Sequence, residues 1–220
     1  MIKLGLAWSL VIWTLMIAVS VFALIVLPDE ARLALHWDVQ GTPGNYANKW
    51  SAAIALPLTA ALMICFLALI PMLPGQRKVI EKSSQLFLTG WICSIAVLGF
   101  VHIIILVNAL SGEQISLGLI IGFASLLLLL LGNAMARSKP NAWVGIRTPW
   151  TLRSNRSWIV ANRTAGIGLM LTAVVTIMLA TVSRDQWATY SYFIGNVVTL
   201  ILSLALSYQA AGKKPYTDSD

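Results

Sequence analysis

The chain has 220 residues, of which 58% are hydrophobic and only 10% charged, with a net charge of +7. So much apolar surface cannot face water, which excludes a soluble globular domain and makes this an integral membrane protein. Crossing roughly 30 Å of hydrocarbon takes about 20 apolar residues in a helix. Six runs reach that length: 4–27, 51–73, 86–108, 115–136, 161–182 and 188–210. None alternates as a barrel strand does, so the expected fold is an all-α bundle of six transmembrane helices. The first run is far longer than the apolar core of a signal peptide, and no small-residue cleavage site precedes Pro28-Asp29, so it reads as a span.

Cationic residues near span ends are retained on the cytoplasmic side. With both termini cytoplasmic, twelve of the fifteen Lys and Arg residues fall inside, and only Arg32, Lys49 and Arg184 fall outside. The outer loops also hold Asp29, Glu30, Asp38, Glu113 and Asp185. Topology therefore accounts for the basic balance, and direct nucleic-acid binding is not called for.

Between the first two spans lies an outer loop, 28–50. Pro28 stops the first helix, and Gly41, Pro43 and Gly44 impose tight turns. Trp37, Tyr46 and Trp50 suit the headgroup layer, where an amphipathic ring keeps its polar edge wet. His36 and Asp38 are the chemically notable pair, as metal ligands or as acid and base. One His with one carboxylate lacks the three or four ligands of a zinc site, so turn-stabilising hydrogen bonds are the favoured reading and no metal is expected.

Cys65 and Cys93 fall at unmatched depths in spans two and three, which argues for apolar thiols and against a disulfide. His102 and Asn108 in span three, Asn133 in span four and Asn196 in span six are the notable intramembrane polar residues. His102 reads as an interhelical hydrogen-bond donor. Gly118 and Gly122 give span four a close-packing surface.

The inner loop, 137–160, is the most distinctive part of the chain. Three tryptophans, Trp143, Trp150 and Trp158, stand among six cationic residues between Arg137 and Arg163. Pro140 cannot continue the fourth helix, and Ser154 or Asn155 is placed to cap a helix that holds Trp158. Arg147, Arg153, Arg156 and Arg163 suit anionic headgroups or an acidic protein surface. Plain positive-inside anchoring explains the charges but not the density of turn residues. The two long loops also echo each other: Trp37 precedes Thr42-Pro43 by the interval at which Trp143 precedes Thr148-Pro149. Each follows the first span of a three-span half, 1–110 or 111–220, the pattern of an inverted 3+3 repeat, with chance recurrence as the alternative.

Gly132-Asn133-Ala134-Met135, then Pro140-Asn141, then Gly145-Ile146-Arg147-Thr148-Pro149-Trp150-Thr151-Leu152 closely resembles the signature of the SdpI/YfhL family of bacterial membrane proteins. Leu27-Pro28, His36-Trp37, Gly41 and Lys49 resemble the small domain of unknown function that commonly precedes it. The chain departs from that pattern at Asp38 and Gly44. The resemblance implies a bacterial inner-membrane immunity protein giving resistance to a secreted antimicrobial peptide toxin. It also implies a receptor that sequesters a cytoplasmic autorepressor. On that reading the toxin meets His36, Trp37, Asp38 and Tyr46 at the extracytoplasmic face. The cytoplasmic partner or membrane lipid meets Asn141, Gly145, Arg147, Thr148, Pro149, Trp150, Arg153 and Arg156.

The alternative is a small-molecule or peptide transporter built on the inverted repeat. Apart from Arg163 near the start of the fifth, the apolar runs contain no Asp, Glu, Lys or Arg, and none lies near the midplane, where coupled transport usually requires one. An enzyme is disfavoured because no nucleophile with a base, paired carboxylates or metal cluster is present, and no cofactor is expected.

Overall fold

A computed structural model describes residues 1–36, 44–112, 116–182 and 184–212. Its elements are α1 (Ile2–Val26), β1 (Arg32–Ala34), β2 (Tyr46–Asn48), α2 (Lys49–Leu69), α3 (Gln76–Glu81), α4 (Ser84–Ser111), α5 (Leu117–Met135), α6 (Pro149–Arg153), α7 (Asn155–Thr181) and α8 (Asp185–Ala211). Six of them, α1, α2, α4, α5, α7 and α8, are long and apolar enough to cross a membrane. The fold is the all-α membrane bundle expected from the six runs. A spanning helix satisfies every backbone group within itself, and only apolar side chains need meet lipid.

The spans pack as two triplets, α1 with α2 and α4, and α5 with α7 and α8, which meet chiefly along α4 and α5. In the first triplet Trp91 is buried and its indole N–H donates to Ser9 Oγ at 2.8 Å. Pro57 lies inside α2 and has no N–H, so the Ala53 carbonyl one turn earlier loses its helical donor. Ser20 of α1 supplies the missing hydrogen bond to Ala53 O at 2.8 Å. Having one hydrogen to give, Ser20 Oγ must accept from His102 Nε2, also 2.8 Å away. His102, fully buried on α4, is therefore the Nε2–H tautomer and an interhelical donor, as its place in the sequence implies.

In the second triplet small residues bring backbones together. A Cβ on Gly166 of α7 would stand 2.4 Å from the Gly132 carbonyl of α5, so both positions exclude any side chain. Gly168 of α7 faces Thr199 of α8, and Gly195 of α8 faces Thr172 of α7. Cys65 is exposed and Cys93 buried, and both are free thiols.

Five of the six spanning helices, all but α5, start before the apolar stretches that announce them. α7 begins at Asn155, six residues before the run at 161, because a polar first turn is tolerated outside the hydrocarbon and Ser154 caps it by accepting from Ser157 N. Besides α6 in the inner loop, two features had no counterpart in the sequence reading. One is α3, which lies between α2 and α4 and buries Ile80 against Ile64, Phe87 and Trp91. The other is the antiparallel β1–β2 pair, with Arg32 opposite Asn48 and Ala34 opposite Tyr46. Leu33 anchors that hairpin by packing among Ala23, Ala52, Ile105 and Leu106. Three-residue strands leave too short an alternation to recognise without the packing beneath them.

Candidate functional site

The hairpin occupies one end of the bundle, where α1 ends and α2 begins. Lys49, the first residue of α2, is buried and donates to the carbonyls of Leu27 at 2.8 Å and Leu24 at 3.2 Å. A cation there serves the unpaired carbonyls and the negative end of the α1 dipole together. Its ammonium also meets the exposed Asp29 carboxylate at 2.7 Å. That hydrogen bond, reinforced by the opposite charge, holds the Asp29 carboxyl below the usual carboxylate range.

Two further rungs extend the hairpin, Leu35 N to Asn45 O at 2.8 Å and Gly44 N to His36 O at 2.7 Å. His36 and Tyr46 are both exposed on it. His36 borders a cleft of about 190 Å³ lined by Leu35, Val101, Ile104, Leu117 and Ile120, between the hairpin, α4 and α5. Trp37 and Asp38, with Gly41, Thr42 and Pro43, lie outside the described residues, as do Glu113, Lys213 and Lys214. Among the described residues no group of three or more His, Cys, Asp or Glu side chains is placed to hold a metal ion.

At the opposite end, residues 136–154 form a loop braced from four sides. Asn141 is buried and uses its whole amide. Its Oδ1 accepts from the N–H of Trp143 and of Val144, both at 2.8 Å, and its Nδ2 donates to Lys139 O at 2.9 Å and Val144 O at 3.1 Å. Ser83, preceding α4, donates to Lys139 O at 2.8 Å and accepts from Lys139 N at 2.9 Å. Trp143 reaches α3 through its indole N–H, which donates to Gln76 Oε1 at 2.8 Å. Val144 packs against both the first-triplet core and the Leu86, Ala134, Met135 and Ala165 cluster.

Gly145 has φ +107°, a backbone most side chains avoid, and a Cβ there would meet Asn162 Oδ1 at 2.5 Å. Asn162, buried on α7, accepts the N–H of Ile146 at 2.8 Å and donates to Trp158 O at 3.1 Å. Trp158, fully buried one turn earlier, donates its indole N–H to Ser138 O at 3.1 Å.

α6 then starts at a Thr148–Thr151 capping box with Pro149 at its first turn. Thr151 is fully buried and donates to Ile146 O at 2.9 Å. Trp150 bonds Ser207 Oγ at 3.0 Å and meets Tyr208 edge to face, with ring centroids 5.4 Å apart. Asn141, Gly145, Thr148 and Trp150 are thus spent on the loop's own architecture. Pro149, Arg147 and Arg153 are exposed and Arg156 half-buried. Arg147 turns its guanidinium back to the Ala142 carbonyl.

Asn162 is the residue that sequence reading passed over. Its signal was a lone amide four residues after Trp158, on the same face of a helix otherwise entering an apolar run.

These features define a class: a six-span helical membrane protein with a hairpin at one end and a rigid basic loop at the other. The second feature is similar to a known family. Residues 137–208, from the loop through α7 and most of α8, match the model of the SdpI/YfhL protein family, which bears out the resemblance carried by Asn141 to Leu152. The chain is also 26% identical over 197 residues to the immunity protein SdpI of Bacillus subtilis (strain 168), covering 88% of this chain and 84% of that protein. No solved structure matches it.

Proposed function

We propose that this chain is an SdpI-like immunity protein of a bacterial inner membrane, protecting its host from a secreted antimicrobial peptide toxin. The similarity to an immunity protein over most of both chains, with a family segment that begins at the braced loop, carries the reading. Charge supports the orientation: the loop face holds Arg77, Lys78, Lys82, Arg137, Lys139, Arg147, Arg153 and Arg156, so it is the cytoplasmic one and the hairpin is extracytoplasmic.

The toxin meets the hairpin. His36 and Tyr46 stand exposed there, and the apolar cleft beside His36 offers an amphipathic peptide a place for a side chain at the membrane surface. Trp37 and Asp38 follow directly in sequence and complete the proposed recognition segment. On the cytoplasmic side Arg147, Pro149, Arg153 and Arg156 face outward from a scaffold held by Asn141, Gly145, Thr148 and Trp150. This is the surface on which an autorepressor would be captured. The two three-helix halves, 1–110 and 111–220, divide these tasks.

The test is survival of a sensitive bacterium expressing the chain under challenge with a cannibalism-type peptide toxin, beside a His36→Ala/Trp37→Ala variant. Protection that the variant loses at equal membrane abundance supports immunity at the hairpin. Failure of the correctly inserted parent chain to protect overturns it.

A further inference from the structure

One face of α7 presents Arg156, Ile159, Arg163, Ile167 and Leu171 at spacings of three and four residues, a single row along the helix. The row points away from the bundle: Ile159, Ile167 and Leu171 are 48%, 44% and 63% exposed, while Trp158, Ala161, Asn162 and Ala165 on the other side are buried. In a spanning helix an outward row faces lipid. Two arginines at its head are therefore unusual, because a cation beside acyl chains is costly unless an anion meets it.

The depth of Arg163 sharpens the point. It stands eight residues past Asn155, about 12 Å along the axis at 1.5 Å per residue. The 27 residues of α7 span about 40 Å, against a hydrocarbon layer of roughly 30 Å, so the Arg163 backbone lies inside the layer's edge. Helical Cα–Cβ bonds tilt toward the N-terminus, which aims this side chain back toward the headgroups at the α7 start, where Arg156 sits two turns above.

Among the described residues nothing neutralises the pair. Neither arginine makes a salt bridge among the described residues, and the only described acid on that face, Glu81, is held by Arg77 at 3.1 Å.

We propose that Arg156 and Arg163 form a binding site for an anionic phospholipid. Its phosphate lies between the two guanidiniums and one acyl chain follows Ile159, Ile167 and Leu171. Two forked donors match phosphate oxygens, and charge left unpaired by the described residues over an apolar row selects a lipid in place of a soluble anion. The site shares Arg156 with the proposed autorepressor surface, but lipid retention does not require the immunity reading to hold.

The experiment is native mass spectrometry of the full chain released from detergent micelles, titrated with phosphatidylglycerol, phosphatidylcholine or glycerol phosphate. Phosphatidylglycerol should be retained at several-fold lower concentration than phosphatidylcholine, and glycerol phosphate should not be retained. Arg156→Gln/Arg163→Gln should erase the preference, whereas Arg77→Gln/Lys78→Gln, which removes equal charge from the same face, should leave it. If the first variant does not fold, Arg163→Lys decides: it keeps the charge but loses the fork, and should weaken the preference by at least about threefold. Equal retention of the two lipids, tight glycerol phosphate binding, equal loss in the Arg77/Lys78 variant, or an Arg163→Lys protein that matches the parent would each overturn the site.

Discussion

The side-chain oxygen of Asn162, one turn past Trp158 on α7, accepts the backbone N–H of Ile146 at 2.8 Å. A buried amide on a spanning helix thereby fixes the conformation of a loop 16 residues upstream, at the point where Gly145 turns the chain. Removing it leaves an interior N–H without a partner, at about 1–3 kcal/mol. Asn162→Leu should lower the thermal midpoint in detergent and speed hydrogen exchange at Ile146 while leaving the hairpin's exchange unchanged. Unaltered exchange at Ile146 would show that the loop holds itself.

Gly145 and Gly112 both have positive φ, at +107° and +68°, but only Gly145 is crowded. Gly112→Ala meets no atom within 4 Å, so its cost is the backbone strain alone, about 1–2 kcal/mol. Gly145→Ala adds a clash with Asn162 Oδ1 and the Trp158 ring, and should be clearly the more destabilising of the two in parallel melts. Equal midpoints would count against the tight seat assigned to Gly145.

Ser20, His102 and Pro57 form a chain of dependence across three spans. Ser20→Ala strips a partner from both Ala53 O and His102 Nε2. Interhelical hydrogen bonds in membranes average about 0.6 kcal/mol and reach about 1.7, and this one serves two groups, so the upper part of that range is expected. Nitrogen-15 NMR of labelled His102 should find the proton on Nε2. A proton on Nδ1 instead would refute the donor order derived from Pro57.

Lys49 ties the end of α1 to the start of α2, and Asp29 reports on it. The folded Asp29 carboxyl sits below its ordinary value, so its stabilising effect is fully present above about pH 4 and fades as the pH falls through the lowered value. Asp29 is solvent-exposed, so the effect should be small and salt-sensitive. Asp29→Asn should remove this acid-dependent component from melts recorded between about pH 3 and pH 6. Lys49→Met should cost more at every pH, since the carbonyls of Leu24 and Leu27 lose their donor. An Asp29→Asn protein that retains the parent's acid dependence would reassign it to another carboxylate.

Six spans were legible in the chain because lipid imposes one requirement, a run of about 20 apolar residues, that every helix must meet locally. The basic loop was legible for the same kind of reason, since Gly145, Pro149 and the Ser154 cap are short-range signals. Even the role of His102 could be read, because a lone imidazole in hydrocarbon must find a partner. Tertiary structure alone decided which partner it finds, because Ser20 and Ala53 lie on other spans and the demand for Ser20's hydrogen comes from a proline 37 residues away. It also decided that Asn141, Thr148 and Trp150 brace the loop while Arg153 faces outward. The hairpin and α3 depend on Leu33 and Ile80 finding cores built by distant helices. Local composition sets what each segment must do with its own backbone; which buried polar groups satisfy one another depends on contacts between segments that no window of sequence contains.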